Sequence, residues 1–338
     1  MYRKNNKHAR FHFLLILIIG LTSLNACATK VISETGIYDG FIDSMVSKHQ
    51  FDRNELTTLL NQAKLQPSIL KAISSPAERR LEWHSYRKIF LKSKRIKGGI
   101  AFWQENKELL ENAAEKYGVP AEIIVAIIGV ETQYGGNTGS YKVLDSLTTL
   151  GFHFPKRASF FKRELEEFLL LCREEGLNPI SPKGSYAGAM GKSQFISSSY
   201  RAYAVDGDGD KKRDLWSSNA DIINSIANYF ARHGWKHDSL ITTKTTVSGD
   251  AYTAVLNSSL KPVHTLQELK QHQVSVPDEP AGDTVVKLLE LNLVDQPEYW
   301  LTFHNFYVIT RYNHSHLYAM AVYQLSQEIK QGALEAKN

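Results

Sequence analysis

Apolar residues recur at helical spacing through most of the chain. The stretches FIDSMVSKHQF, RNELTTLLNQAK and GIAFWQENKELLENAAEKYG each predict a helix, with a break near Ser75 and Pro76. RELEEFLLLCREEGL, residues 163–177, keeps the same spacing and places Cys172 among apolar positions, and NADIINSIANYFARHGW predicts a helix that ends at Gly234. Strand-like patterns such as ITTKTTV and WLTFHNFYVITRYN occur only after about residue 240, so we expect a mainly α-helical (α+β) protein.

One helical stretch ends in a single carboxylate. EIIVAIIGVE, residues 122–131, is apolar on nearly every side, which is typical of a helix inside a domain. Pro120 can open this helix, and Gly135 and Gly136 can end it in a left-handed conformation. Apolar neighbours and the negative helix end both favour a protonated Glu131, the state a general acid needs. Local sequence leaves open the alternative of a glutamate that points to water from a fraying helix end.

The N-terminus predicts an export signal. MYRKNNKHAR carries four basic residues and no acid, and FHFLLILIIGL is about half the ~20 residues of a membrane-spanning helix. LNAC, residues 24–27, resembles the lipobox of bacterial lipoproteins, which implies lipidation of Cys27 after removal of residues 1–26. Ala28 in place of aspartate favours the outer membrane. A retained anchor helix and an ordinary signal peptide cut nearby remain alternatives.

Composition and charge argue against a nucleic-acid-binding function. The chain is 43% hydrophobic and 22% charged, as in an ordinary soluble globular protein. Without residues 1–26 the formal net charge falls from +5 to +1, so a nucleic-acid role loses its main support. The basic run KSKRIK, residues 92–97, is interpreted as a solvated helix end. With Cys27 lipidated, Cys172 has no partner and is expected to be a buried small hydrophobe.

Glycine, hydroxyl, amide and aromatic residues are concentrated after Glu131. GGNTGSY and SYAGAMGKSQFISSSY, the latter spanning residues 185–200, combine these types. Glycines let a ligand approach the backbone, and hydroxyls and amides hydrogen-bond sugar hydroxyls. Structural turn chemistry explains such a cluster equally well when it is taken alone.

Four blocks taken together resemble one family. GVETQYG, SYAGAMGKSQF, AVDGDGD followed by LW, and ANYFARHGW occur in the order and spacing of the membrane-bound lytic murein transglycosylase B family, and TRYNHSHLYAMAV fits the same family. The resemblance covers about residues 38–330. It implies a core like that of goose-type lysozyme, joined to a helical domain and a small β-containing satellite.

The resemblance implies a role for individual residues. It places the catalytic acid and base at Glu131. It places the saccharide cleft at six further positions, namely Ser185, Gln194, Tyr229, Tyr312, Asn313 and Tyr86. At Lys192 and Ser193, where family members often carry an aromatic residue and a glycine, this sequence departs from the pattern.

The implied reaction needs one carboxylate. Most glycosidases use two carboxyl groups, yet no second acid lies near Glu131 in sequence, and Asp145 is the closest downstream. The resemblance implies cleavage of the β-1,4 bond between N-acetylmuramic acid and N-acetylglucosamine in peptidoglycan without water, which forms 1,6-anhydromuramoyl ends. The alternatives are a hydrolytic muramidase and a non-catalytic peptidoglycan-binding scaffold. No organic cofactor and no nucleic acid are expected.

An acidic loop has the spacing of a calcium site. DGDGDKKRDLW, residues 206–216, places Asp206, Asp208, Asp210 and Asp214 at positions 1, 3, 5 and 9 of such a loop. Lys211 replaces the usual glycine and Ser217 the usual glutamate. The family has a modified loop, which implies a structural Ca²⁺ bound by Asp206, Asp208, Asp210, the carbonyl of Lys212, and Asp221. A solvated acidic turn remains the alternative.

These interpretations divide the chain into segments. After the signal peptide and a lipidated linker at 27–37, we expect a helical domain at 38–118, joined by residues 315–330, and a lysozyme-like core at 119–239 that contains the calcium-type loop 206–221. A small α+β satellite at 240–298 follows. A C-terminal strand and helix at 299–338 would complete the core and the helical domain.

Overall fold

The computed structural model describes residues 36–74 and 81–335. The signal peptide, Cys27 and nearly all of the linker lie outside the described residues, as do Ser75 and Pro76. Within the described ranges, no helix is both long enough and apolar enough to cross a membrane. The described residues from Tyr38 onward belong to one compact unit.

Helices carry the chain through its first half. Their bounds are α1 Asp39–His49, α2 Arg53–Leu60, α3 Pro67–Ser74, α4 Trp83–Phe90, α5 Ser93–Glu105, α6 Lys107–Tyr117, α7 Ala121–Thr132, α8 Val143–His153 and α9 Ala158–Glu175. Two short strands, β1 Tyr141–Lys142 and β2 Lys183–Gly184, pair antiparallel on either side of α8 and α9. The mainly α-helical class predicted from the sequence is confirmed.

The second half alternates helices and strands. Its elements are α10 Ser197–Tyr203, α11 Asn219–Arg232, β3 Thr242–Thr245, β4 His264–Thr265, α12 Leu266–Gln271, β5 Val285–Asn292, β6 Pro297–Thr302, α13 His304–Tyr312 and α14 His316–Glu335. The last four strands form an antiparallel sheet in the order β3-β6-β5-β4. Where this sheet and its helix begin and end as a separate domain stays a prediction.

Two hydrophobic clusters share strand β5. Successive side chains of a strand point to opposite faces. Val286 and Leu288 therefore join a small cluster with α12, whereas Leu289 and Leu291 on the other face join the main core. Lys287 alternates with the small-cluster residues and is only 1% exposed. Its ammonium group donates hydrogen bonds to the carbonyl and to Oδ1 of Asn257, at 2.5 and 3.0 Å.

Two local predictions need correction. WLTFHNFYVITRYN is a strand only as far as Thr302; residues 304–312 form helix α13, because Phe306 and Ile309 are buried at helical spacing, and α13 packs on α14. Burial on α14 outweighs the strand preference of its aromatic and β-branched residues. The long helix predicted up to Gly118 is divided at Asn106 into α5 and α6.

The run KSKRIK is not wholly solvated. It opens α5, and Arg95 within it is 9% exposed. The Arg95 guanidinium donates to the carbonyl of Ile89 and lies 5.1 Å from the centre of the Phe90 ring. Cys172 is 2% exposed, and burial raises the pKa of its thiol to about 12, in keeping with a small hydrophobic side chain.

Candidate active site

Helix α7 is buried in the core and carries Glu131 near its C-terminal end. Every residue of α7 is buried except Glu122 and Glu131, near its two ends. The helix packs against α14, α5, α6 and α11, which explains why its sequence is apolar on all sides. Glu131 is half-buried, one residue before the end of the helix.

Helix α7 ends in a left-handed backbone conformation that begins two residues before the predicted glycine. Gln133 and Tyr134 adopt positive φ angles of 51° and 61°, ahead of Gly135 at 92°. Such angles are uncommon for residues with a Cβ and concentrate at functional sites. Tyr134 is held there because its hydroxyl donates to the carbonyl of Arg95 at 2.9 Å. A Cβ at Gly129 would lie 2.4 Å from the Tyr134 hydroxyl oxygen, so glycine makes room for this contact.

Tyr318 holds the Glu131 carboxylate. Its hydroxyl donates to Oε1 of Glu131 at 2.5 Å, and the Tyr318 side chain is 2% exposed. Burial, and then the negative charge of Glu131, raise the pKa of Tyr318 well above its ordinary value, so the phenol keeps its proton. Tyr318 was not among the residues predicted from the sequence, although it lies in the block TRYNHSHLYAMAV.

Three aromatic residues pack beside this pair. The rings of Tyr229 and Tyr312 lie 4.9 Å apart, and Phe195 lies 5.5 and 5.8 Å from them. The Tyr312 hydroxyl donates to the carbonyl of Ser193 at 2.6 Å, and the Tyr229 hydroxyl to the carbonyl of Arg311 at 2.7 Å. Burial, followed by the charge of Glu131, raises the pKa of Tyr312 well above its ordinary value.

A cavity of 1080 Å³, here called the main cavity, opens against this cluster. Five of the predicted cleft residues line it, namely Tyr86, Gln194, Tyr229, Tyr312 and Asn313. Among the described residues that line it, none is an aspartate or a glutamate. Glu131 and Ser185 are not among its lining residues. The charge of Glu131 acts on Tyr312, which does line the cavity.

The loop at 185–195 is organised by Ser185 and Gln194. The Ser185 Oγ accepts hydrogen bonds from the backbone N–H groups of Ala189 and Ala187, at 3.0 and 3.3 Å. Gln194 has a φ of 51°, and its Nε2 donates to the carbonyls of Thr138 and Gly191 at 3.1 and 2.9 Å. Both side chains therefore shape the loop that borders the cavity, and Gln194 also faces the cavity.

Lys192, where the sequence departs from the family pattern, is half-buried. Its ammonium group donates to Oδ1 of Asn219 at 2.7 Å, and burial lowers the pKa of Lys192. A Cβ at Gly135 would lie 2.9 Å from Lys192 Cε. The lysine stem therefore packs on the turn that follows Glu131.

The segment between α13 and α14 connects the cavity to the sheet. Asn313, Ser315 and Leu317 line the main cavity, whereas Nε2–H of His316 donates a hydrogen bond at 3.1 Å to the carbonyl of Ser259. Burial, and then the charge of Lys287, lower the pKa of His316 to about 4, so it stays neutral near pH 7. The region around the sheet thus fixes the start of the helix that carries Tyr318.

Asp145, the nearest acid downstream of Glu131 in sequence, is engaged by other residues. It is 5% exposed and accepts hydrogen bonds from the backbone N–H of Lys64 and from Nε2 of Gln66, at 3.0 and 3.1 Å. Its carboxylate therefore joins α8 to the loop between α2 and α3.

The acidic loop brings three carboxylates together. Asp206, Asp208 and Asp210 are exposed and offer oxygens within 4.8 Å of one another. Asp221, 1% exposed on α11, accepts from the N–H groups of Gly207 and Asp214 at 2.7 and 2.6 Å. Burial raises the pKa of Asp221, and the charges of Asp208 and Asp206 add to the rise against these hydrogen bonds, which lower it.

Two other residues of the loop have backbone roles. The Lys212 N–H donates to Oδ1 of Asp210 at 2.8 Å. Asp214 accepts from the N–H groups of Trp216 and Ser217 at 2.8 and 3.0 Å, so it stabilises the turn that leads into α11.

The chain is similar to known proteins over most of its length. The family described as the transglycosylase SLT domain matches residues 34–327. The membrane-bound lytic murein transglycosylase B of Escherichia coli K12 is 42% identical over 299 residues, which cover 86% of this chain and 81% of that protein.

Two solved structures are similar over nearly the same extent. The catenated lytic transglycosylase SltB1 of Pseudomonas aeruginosa is 45% identical, with a TM-score of 0.84, over 87% of this chain and 97% of that one. The lytic transglycosylase Slt35 of Escherichia coli in complex with calcium is 40% identical, with a TM-score of 0.81, over 88% and 94% of the two chains.

Proposed function

Because the chain belongs to the transglycosylase SLT domain family, we propose that Glu131 is the catalytic acid and base of its reaction. The protein is a lytic transglycosylase that acts on peptidoglycan. The observation that carries the assignment of Glu131 is its contact with two tyrosines: Tyr318 donates a hydrogen bond to its carboxylate, and Tyr312, which its charge reaches, lines the main cavity. The neighbouring phenols of Tyr312 and Tyr318 keep their protons near neutral pH because their pKa values are raised, so we assign the proton transfer to the Glu131 carboxyl.

The proposed reaction uses Glu131 twice. Protonated Glu131 donates to the oxygen between C1 of N-acetylmuramic acid and N-acetylglucosamine, and the C1–O bond breaks. The C6 hydroxyl oxygen of the same muramic acid then bonds to C1, and its proton returns to Glu131. The glycan is cut, the carboxyl is restored, and no water is consumed.

A mechanism with Glu131 as its one carboxylate explains why the C6 hydroxyl of the substrate is the nucleophile. Retaining and inverting glycosidases place two carboxyl groups about 5 to 9.5 Å apart, one of which attacks or activates water. Asp145, the nearest acid downstream of Glu131 in sequence, is engaged by Lys64 and Gln66 instead. An intramolecular hydroxyl needs no second carboxylate.

The predicted cleft residues are proposed to bind the sugars. We assign sugar contacts to Tyr86, Gln194, Tyr229, Tyr312 and Asn313, which line the main cavity. Aromatic faces pack on sugar rings, and the Gln194 and Asn313 amides hydrogen-bond hydroxyl or acetamido groups. Ser185 acts from the loop beside them, where its hydroxyl proton is available for donation while its oxygen accepts from the backbone.

Mass analysis of products tests the reaction type. Purified protein acting on isolated sacculi is expected to release muropeptides that end in 1,6-anhydromuramic acid. Products heavier by one water molecule, with reducing ends that borohydride reduces, would identify a hydrolytic muramidase and contradict the mechanism. A sample without enzyme supplies the background of anhydro ends already present in the sacculi.

We also propose that the loop at 206–221 binds a structural calcium ion. Escherichia coli Slt35 forms a complex with calcium. In this chain, the carboxylates of Asp206, Asp208 and Asp210 converge, and the charges of Asp206 and Asp208 reach the buried Asp221. A hard divalent cation would neutralise the repulsion among these carboxylates. The carbonyl of Lys212 is the remaining proposed ligand. The ion would join the loop to α11 and take no part in the chemistry.

Calcium is expected to raise the melting temperature. At a concentration about 100 times its dissociation constant, the increase should be roughly 5 °C, because the ion binds only the folded loop. Asp208→Asn should remove most of this increase, whereas Asp295→Asn, an exposed acid outside the loop, should keep it. Differential scanning calorimetry in calcium and in chelator measures both; equal melting temperatures in the two buffers would remove the site.

For localisation, we propose a lipid anchor at Cys27 and a periplasm-facing position at the outer membrane. The relative in Escherichia coli is named membrane-bound. The lipobox-like LNAC and the residue Ala28 support the same location for this chain. Mass spectrometry of the mature N-terminus checks the anchor, since an unmodified Cys27 would contradict it.

A further inference from the structure

A second cavity, of 840 Å³, lies at the opposite end of α13 from the main cavity. We call it the satellite cavity; its lining includes Lys236, Asp238, Leu240, Lys261, Asp283, Val285 and Tyr307. Its wall combines the loop after α11, the start of α13 and the segments on either side of β4 and before β5.

The wall of the satellite cavity is held by buried hydrogen bonds. Asn305, 1% exposed, accepts from the Lys236 N–H at 2.9 Å, and its Nδ2 donates to the carbonyls of Lys236 and Ser239 at 2.7 and 3.3 Å. The His304 ring is hydrogen-bonded at 2.7 Å to the carbonyl of Gly234. The loop that carries Lys236 is therefore fixed in position before any ligand arrives, which lowers the entropic cost of binding.

Two cations in this cavity lack an acidic partner. Neither Lys236 nor Lys261 has a carboxylate within 4.0 Å among the described residues, and Lys261 lies 5.7 Å from the centre of the Tyr307 ring. Exposed ammonium groups on a fixed concave wall favour a ligand with carboxylates.

The same cavity exposes aliphatic surface. Leu240 and Val285 are each 49% exposed, and Val263, beside the cavity, is 47% exposed. Large aliphatic side chains with this exposure form a patch here that prefers apolar groups of a ligand. Two carboxylates, Asp238 and Asp283, also line the cavity; Asp238 lies 3.1 Å from Nδ1 of His237, and Asp283 suits a free amine.

Helix α13 sets the distance between the two cavities. His304 and Tyr307 near its beginning line the satellite cavity, and Arg311 and Tyr312 at its end line the main cavity. At about 1.5 Å per residue, members of the two groups lie roughly 6 to 12 Å apart along the helix. A ligand that extends beyond the sugars bound beside Glu131 can therefore reach the satellite cavity.

We propose that the satellite cavity binds the peptide stem of peptidoglycan while the glycan occupies the main cavity. The stem is a short peptide with several carboxylates, small methyl side chains and, in diamino-acid stems, a free amine. These match the two lysines, the aliphatic patch and Asp283. A bare glycan strand keeps one lactyl carboxylate per disaccharide but lacks the further carboxylates, the methyl side chains and the free amine of the stem, so it matches the lysines only in part and the aliphatic patch and Asp283 less well. The inference rests on the proposed function.

The test compares two substrates and two variants. Lys236→Gln/Lys261→Gln removes both cavity cations, and Lys88→Gln/Lys270→Gln removes two exposed lysines elsewhere as the matched control. Rates are measured on intact sacculi and on glycan strands freed of peptides by an amidase. The cavity variant should lose roughly tenfold in kcat/KM on sacculi, with a much smaller loss on bare strands, and the control should lose neither.

Each other outcome overturns the inference. Equal losses on both substrates would show that the cavity binds the glycan, and no loss on either would show that it binds no part of the substrate. Equal losses in the control variant would assign the effect to net charge. If wild-type protein released no anhydro ends from either substrate, the proposed function would fail first, so the two failures are distinguishable. Unchanged melting temperatures verify that both variants fold.

Discussion

Glu131→Gln is expected to abolish turnover while leaving the protein folded. Glutamine has the shape of the carboxyl group but cannot release and retake a proton, so the rate on sacculi should fall by at least roughly 10³-fold. The fold should tolerate the change, because Glu131 is only half-buried and the Tyr318 hydroxyl can still donate to an amide oxygen. Release of anhydromuropeptides and the melting temperature are measured together.

The matched control lies on the same helix. Glu122→Gln makes the same change at the other non-buried position of α7, where the glutamate pairs with Lys330 at 2.8 Å. An exposed ion pair contributes little to stability, so this variant should keep wild-type rates. Substantial turnover by Glu131→Gln would remove the catalytic assignment, whereas equal losses in both variants would indicate damage to α7.

Tyr318→Phe is expected to lower kcat by roughly 10- to 100-fold with little change in KM. The substitution removes one hydrogen bond to a charged group and leaves the buried ring in place. Tyr318 does not line the main cavity, so its loss should affect the orientation of the Glu131 carboxylate and not the sugar contacts. Steady-state kinetics on soluble glycan strands separates the two parameters.

Another tyrosine of the same helix serves as the control. Tyr323 is half-buried on α14, five residues after Tyr318, and its ring packs against Trp300, so Tyr323→Phe removes a hydroxyl outside the carboxylate contact. It should retain wild-type kcat. A Tyr318→Phe protein with normal kcat and raised KM would place Tyr318 in substrate binding, contrary to a positioning role.

The two variants test different parts of one arrangement. Glu131 performs the proton transfers, and the Tyr318 hydroxyl fixes one of its carboxylate oxygens. Tyr318 lies on α14, whose first residue, His316, is hydrogen-bonded to the carbonyl of Ser259. The sheet region therefore contributes to the site without touching the reacting atoms. This division explains why residues far from the chemistry in sequence are needed for its geometry.

Several features of the site were predictable because they are local. The apolar run of α7 indicated a central buried helix, and the structure places Glu131 at its end. The alternate aspartates of the acidic loop indicated converging carboxylates, and the structure brings Asp206, Asp208 and Asp210 together. In both cases, the spacing along one segment alone determines which side chains are neighbours.

Other features were mispredicted because a local preference competed with tertiary contacts. Residues 304–312 have the composition of a strand, yet packing on α14 makes them a helix. The left-handed end of α7 falls on Gln133 and Tyr134 ahead of the glycines, because the contact of Tyr134 with Arg95 holds that conformation. Neither contact is visible in the spacing of the segment itself.

The sequence by itself determined the helical class, the buried helix that ends at Glu131, the acidic loop and the family resemblance. Each of these depends on the types and spacing of residues that are close together in the chain. Only the tertiary structure decided that Tyr318, 187 residues away, donates to Glu131, that Asp145 is engaged elsewhere, and that two cavities lie at opposite ends of α13. These depend on how distant helices pack, and packing is set by the fit of whole surfaces, which no short pattern contains.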